Sequence, residues 1–222
     1  MASQAGAKRF SPSAGIAIGP ILFIIAILAI LAAAIAAGSG SFTSGTSTES
    51  NRTKSSALIQ IGENIKVGMD RITMEGGLDP NSVDTNTTDT NTTNDLFSPT
   101  GGGIAPPSVG MANNPLTDKW YFPKGPIAGL GTGANDVIAA LPISEGVCAE
   151  VNNRAVGSAV APTAANLGDF TGGIIAGTAW PTVAAGGVNL LGVATGCVNN
   201  SGVTVGTGVS SNYFYYQVLS VQ

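Results

Sequence analysis

No charged residue stands between Arg9 and Glu49, and that gap constrains the chain more than any other feature. Within it, Ile16–Ala37 reads IAIGPILFIIAILAILAAAIAA, apolar apart from Gly19 and Pro20. As a helix rising about 1.5 Å per residue, a segment of this length spans roughly 33 Å, enough for the hydrocarbon core of a bilayer. The apolar region of a cleaved secretory signal is shorter, about 7–15 residues. The sequence therefore predicts a retained transmembrane helix over residues 16–37, preceded by a basic leader over 1–15. Lys8 and Arg9 place the N-terminus in the cytoplasm by the positive-inside rule. Residues beyond about 40 then lie outside the inner membrane.

The segment is also rich in small residues. Gly15 and Gly19 form a G-x-x-x-G, and Ala32, Ala33, Ala34, Ala36 and Ala37 give a second small surface. In lipid, small residues let helices approach closely, and packing rather than water exclusion drives their association. Such residues are also simply common in apolar helices. Pro20 falls near the start of the helix, where a missing N–H costs least.

After the apolar run, residues 38–51 are small and polar and read as a flexible joint. From Arg52 a helical period begins, with Ala57, Leu58, Ile61, Ile65, Met69 and Ile72 on one face and Gly76-Gly77 closing the segment 52–77. Residues 78–95 form an acidic, Asn/Thr-rich stretch with almost no apolar residue, expected to be exposed or mobile. Residues 96–222 hold Gly, Val, Ala and aromatics. Trp120, Tyr121 and Phe122 anchor a small core in this reading. A short helix is predicted from Ser144 as N-cap, with Glu145 in its first turn, Arg154 in its last and Gly157 beyond it. Val147, Cys148, Val151 and Ala155 share one of its faces. No charge follows Asp169, and runs such as Tyr213–Val221 read as strands and hairpins. The predicted fold class is α+β, with an N-terminal transmembrane helix and an amphipathic helix packed on a C-terminal antiparallel β-rich domain.

The chemistry that the composition allows is narrow. The net charge is -4, which argues against a nucleic-acid partner. With no histidine, a Ser-His-Asp triad, a Cys-His dyad and a histidine metal site are excluded. Two cysteines cannot supply a four-cysteine zinc site. Gly129, Gly131 and Gly133 imitate a phosphate loop but lack its spacing. The carboxylates Asp118, Asp136, Glu145, Glu150 and Asp169 are scattered. Neither an enzyme nor a cofactor is expected. Cys148 and Cys197 are the one pair with an evident role: a disulfide in an oxidising compartment, or else two separate buried thiols. Asn51, Asn86, Asn91 and Asn199 head N-x-S/T glycosylation triplets, which an Asn/Thr-rich stretch also produces by composition alone.

A basic leader, a glycine, a long apolar helix, an amphipathic helix and a β-rich region with a late cysteine pair together resemble a type IV pilin or pseudopilin. The resemblance implies prepilin-peptidase cleavage after Gly15, giving a mature chain that begins at Ile16; cleavage after Gly19 would leave Pro20 first. It implies that Cys148 and Cys197 are the C-terminal disulfide of such subunits, and that 52–75 is the outer half of the long pilin helix. The chain departs from the family at the fifth mature position, where Pro20 stands in place of the usual glutamate. The implied role is a structural subunit of a pilus or pseudopilus, stored in the inner membrane before export as a periplasmic or surface filament. Its implied partners are other pilin-like subunits, the prepilin peptidase and membrane lipid. The rival expectation is a single-pass, membrane-anchored envelope or viral protein whose outer domain binds a partner.

Overall fold

The computed structural model describes residues 18–88, 93–125, 129–131, 136–161, 190, 192–199 and 211–222. Its first element, α1, runs Ile18–Met74. The stretch 38–51, expected as a joint, is thus helical. Two helices that flank a short polar stretch spare it the cost of nucleation, leaving only the modest propagation penalties of Gly, Ser and Thr. Near its end, hydroxyls are absorbed by carbonyls one turn back: Thr53 Oγ1 donates to Glu49 O and Ser56 Oγ to Arg52 O, both at 2.9 Å. Arg52 pairs with Glu49 at 3.0 Å across one turn. The stretch nevertheless holds the boundary between two compact units of the chain, which falls between Ser47 and Thr48. α1 stops just before Gly76-Gly77, with Gly77 at a φ of 65° that only glycine adopts freely.

In the unit from Thr48 onward, the buried stripe of α1 is Ser55, Leu58, Gly62, Ile65, Met69 and Ile72, with Gly68 beside it. Ile61 is half-buried rather than central. The stripe alternates steps of three and four, so it stays on one side of the helix. It meets a three-stranded antiparallel sheet of β1 (Val137–Ile143), β2 (Thr195–Asn199) and β3 (Tyr213–Ser220), ordered β1-β3-β2. Gly62 is the point of closest approach, since a Cβ there would lie 2.0 Å from the Tyr215 hydroxyl oxygen.

Both faces of the sheet are covered. Val137, Ala139, Leu141, Ile143, Cys197, Tyr215 and Leu219 join the α1 stripe in one cluster. Ile138, Ala140, Val198, Phe214, Tyr216 and Val218 form a second with Tyr121 and Leu190. This is why β1 and β3 read as continuous apolar runs rather than alternating ones. Tyr121 and Lys124 bridge to the free edge of β1, so the 121–124 segment continues the sheet. Pro142 fits in β1 because its carbonyl faces that edge, accepting from Asn113 N at 3.0 Å, and its missing N–H is not needed by β3. The aromatic triplet is split across the sheet: Trp120 stands edge-on to Tyr215 at 6.0 Å, Phe122 lies 5.8 Å from Phe97, and Tyr121 is on the other face.

α2 (Glu145–Val156) follows β1 directly. Ser144 has the extended backbone of an N-cap, and Gly157 closes the helix at a φ of 73°. The polar stretch 78–95 is less free than its composition implies. Asp84 and Asp95 bridge in parallel, and Val83, Leu96 and Phe97 enter the core beside them. Between these anchors Asp84, Asn86 and Thr88 stay exposed.

Candidate functional site

Two features of the described chain go beyond core packing. The first is the N-terminal part of α1. Gly19–Ala36 is a helical stretch long and apolar enough to cross a membrane, with none of its residues buried. Phe23 is 66% exposed, Ile30 69% and Ile35 71%. Burying one such side chain is worth about 1.5–3 kcal/mol, so an apolar surrounding would stabilise the run, whether as a membrane span or as a signal sequence. Of the four positions expected to govern processing, Gly15 and Ile16 lie outside the described residues. Gly19 and Pro20 sit in the first turn of α1 and are exposed. Proline is tolerated there because the first N–H groups of a helix have no partner within it.

The second feature is the lock between α2 and β2. Cys148 and Cys197 form a disulfide with Cα atoms 5.4 Å apart, spanning 49 residues. The alternative of two separate thiols is thereby ruled out. Both cysteines are fully buried, and closing a loop of this length stabilises a fold by about 4 kcal/mol in the chain-entropy account.

Asn152, one turn after Cys148 and fully buried, holds the same strand residue again. Its Oδ1 accepts from Cys197 N at 2.7 Å, and its Nδ2 donates to Cys197 O at 2.8 Å and to Val160 O at 3.0 Å. The side-chain amide therefore takes the place of a neighbouring strand at the edge of β2 that carries no further strand among the described residues. Sequence reasoning missed Asn152. The available signal was an amide four residues after a cysteine, on the same face of the helix.

The carboxylates are dispersed. Asp118 Oδ2 accepts from Asn114 N at 2.7 Å, Asp136 Oδ1 accepts from Gln222 N at 2.8 Å, and Glu150 faces Arg52 at 3.8 Å. Asp169 and Gly133 lie outside the described residues. Gly129 and Gly131 both have positive φ, and a Cβ on Gly131 would meet Val221 at 2.4 Å, so they serve a tight turn against the last strand. No cluster suited to a metal ion occurs among the described residues. A shallow pocket of about 330 Å³ opens between α2 and the start of β3, lined by Glu145, Val160, Asn199 and Tyr213. Desolvation raises the Tyr213 pKa above its ordinary value, and a hydrogen bond to Glu145 raises it further.

The asparagines of the predicted triplets fall in three different settings. Asn51 lies in α1, Asn86 in an exposed turn and Asn199 at the end of β2; Asn91 is outside the described residues. No protein-family model, no curated protein and no solved structure matches this chain.

Proposed function

We propose that this chain is a structural subunit of a type IV-like pilus or pseudopilus. It is held in the inner membrane by residues 16–37, with Lys8 and Arg9 on the cytoplasmic side. A prepilin peptidase removes 1–15 by cutting after Gly15, and the new N-terminus at Ile16 leads an apolar helix into the filament core. Residues from about 40 onward form the outer part, in the periplasm or on the cell surface. The observation that carries the reading is α1 itself, a helix whose N-terminal part is exposed and apolar and whose later part packs on a disulfide-locked α+β unit.

Packing in a filament core needs a long apolar helix and small residues for close contact, and no catalytic group or cofactor. Its partners are other pilin-like subunits, membrane lipid and the peptidase. Pro20 stands where the family places a glutamate thought to pair with a neighbouring subunit's terminal amine, so one registering contact is absent. Assembly should therefore depend on other subunits, with this chain scarce or placed at a tip.

The test is the composition of filaments sheared from cells. Mass spectrometry should find this chain in them. Ile27→Arg, which costs about 2.5–3.5 kcal/mol on insertion scales, should remove it from both membrane and filaments. Recovery of the wild-type chain only as a membrane-bound monomer, with filaments lacking it, would favour the plain membrane anchor.

A further inference from the structure

We propose that Asn86 is a site of asparagine-linked glycosylation, and that among Asn51, Asn86 and Asn199 it alone presents its amide to a transferase. The proposal goes beyond filament assembly and rests only on residues 48–222 lying outside the cytoplasm. The three asparagines head equivalent triplets and differ in where the fold places them.

Asn51 is locked in the interior of α1, half-buried, and its Nδ2 packs so closely against Gly146 that a Cβ there would come within 2.4 Å. Asn199 is held in the ladder of β2 opposite Tyr213, with its Oδ1 buried. A transferase that must draw the acceptor triplet into its own cleft cannot extract either without undoing a helix or a sheet edge.

Asn86 is exposed and lies outside every helix and strand. Its backbone N–H donates to Asp84 Oδ1 at 2.9 Å, which sets the turn. Its Oδ1 accepts from Thr88 N at 3.1 Å and from the Thr88 hydroxyl at 2.8 Å. The hydroxyl of the triplet's third residue therefore already rests on the amide of the first. Donation to Oδ1 draws electron density toward the oxygen and makes the Nδ2 hydrogens more acidic, which eases the proton loss that N-alkylation requires. The anchors at Val83 and Leu96 hold the turn at the surface without enclosing it.

The co-reactant is a lipid-linked sugar pyrophosphate. Asn86 Nδ2 attacks the anomeric carbon and an N–C bond forms. The bond from that carbon to the pyrophosphate oxygen breaks, and its electron pair leaves with the lipid pyrophosphate. One Nδ2 proton passes to a base of the transferase, and nothing is oxidised or reduced.

The full chain is produced in cells whose transferase glycosylates a control protein. Trypsin leaves Asn86 and Asn91 on one peptide, since no Lys or Arg lies between Arg71 and Lys119. An Asn91→Gln background therefore isolates the site. Enzymatic glycan release in heavy-oxygen water converts an occupied asparagine to labelled aspartate. The expected result is label at position 86 and none at 51 or 199, retained in Thr88→Ser and lost in Thr88→Val. Label at 51 or 199 with Asn86 bare overturns the proposal, as does an unglycosylated chain beside a glycosylated control, or occupancy that persists in Thr88→Val. Filaments are scored separately, so failure here is distinct from failure of the pilin reading.

Discussion

Replacing Gly62 by alanine puts a methyl group where the structure has the Tyr215 hydroxyl. The built Cβ lies 2.0 Å from that oxygen and 3.1 Å from both Tyr215 Cζ and Gln217 Cβ, against 3.4–4 Å for ordinary contact. Tyr215 is fully buried on the central strand of the sheet and cannot swing into solvent. Its hydroxyl donates to Gln217 Oε1 at 3.3 Å and accepts from Thr195 Oγ1 at 3.4 Å. Displacing it strands a buried polar group, at about 1–3 kcal/mol. Overpacking adds about 1–3 kcal/mol, and alanine's better helix propensity returns about 1 kcal/mol. The net expectation is a loss of about 3 kcal/mol. In a Tyr215→Phe background the offending oxygen is gone, so the same alanine should cost about 1 kcal/mol or less, a coupling of about 2 kcal/mol. The assay is urea denaturation of the full chain in mild detergent, followed by near-ultraviolet circular dichroism. An alanine that stabilises by its propensity alone, or that costs the same in both backgrounds, would refute the packing of α1 on β3.

Asn152→Ala should destabilise by about 3 kcal/mol, because it leaves both backbone groups of Cys197 buried without partners, and hydrogen exchange should show lost protection of the Cys197 amide. Cys148→Ser should expose Cys197 as a titratable thiol and cost about 2–5 kcal/mol; alkylation of both cysteines in the native wild-type chain would contradict the bond. Burial raises the pKa of Tyr215 and Tyr216 well above the ordinary 10.0, with the neighbouring hydroxyls a smaller influence. Each native tyrosine then keeps its proton at pH values where the unfolded one ionises. The contribution of these two tyrosines to stability should be constant below about pH 10 and fall above it by about 1.4 kcal/mol per pH unit for each. Tyr216→Phe should make that slope shallower by about 1.4 kcal/mol per pH unit in denaturation series between about pH 9.5 and 11.

Features that depend on local chemistry were legible in the sequence. The cap residues Ser144 and Gly157 delimit α2, the apolar period marks the buried face of α1, and the two cysteines pair with each other. What was not legible depends on context. The polar stretch 38–51 is a poor helix former by itself, and only the helices flanking it make propagation cheaper than two new ends. The α1 stripe was centred on large residues, with Ile61 included. The fold instead uses Ser55, Gly62 and Gly68: a Cβ on Gly62 would meet Tyr215 and Gln217 on the central strand, and one on Gly68 would meet Ile104, so both positions favour the smallest residue. Asp95 lies buried within an acidic stretch that reads as solvent-exposed, because its carboxylate Oδ1 takes the Phe97 N–H at 2.8 Å and so closes the turn that leads into the core. Asn152 was hidden because an amide on a helix has no periodic signature; its role follows from the edge strand beside it.

The central claim is that this chain is cut and assembled rather than simply anchored, and the N-terminus of the mature protein tests it most directly. Intact mass and N-terminal sequencing of the chain, isolated from cells that make a prepilin peptidase, should give a mature form that begins at Ile16. Gly15→Leu should leave the precursor uncut and abolish surface filaments. A mature chain that still carries Lys8 and Arg9 in such cells would contradict the account.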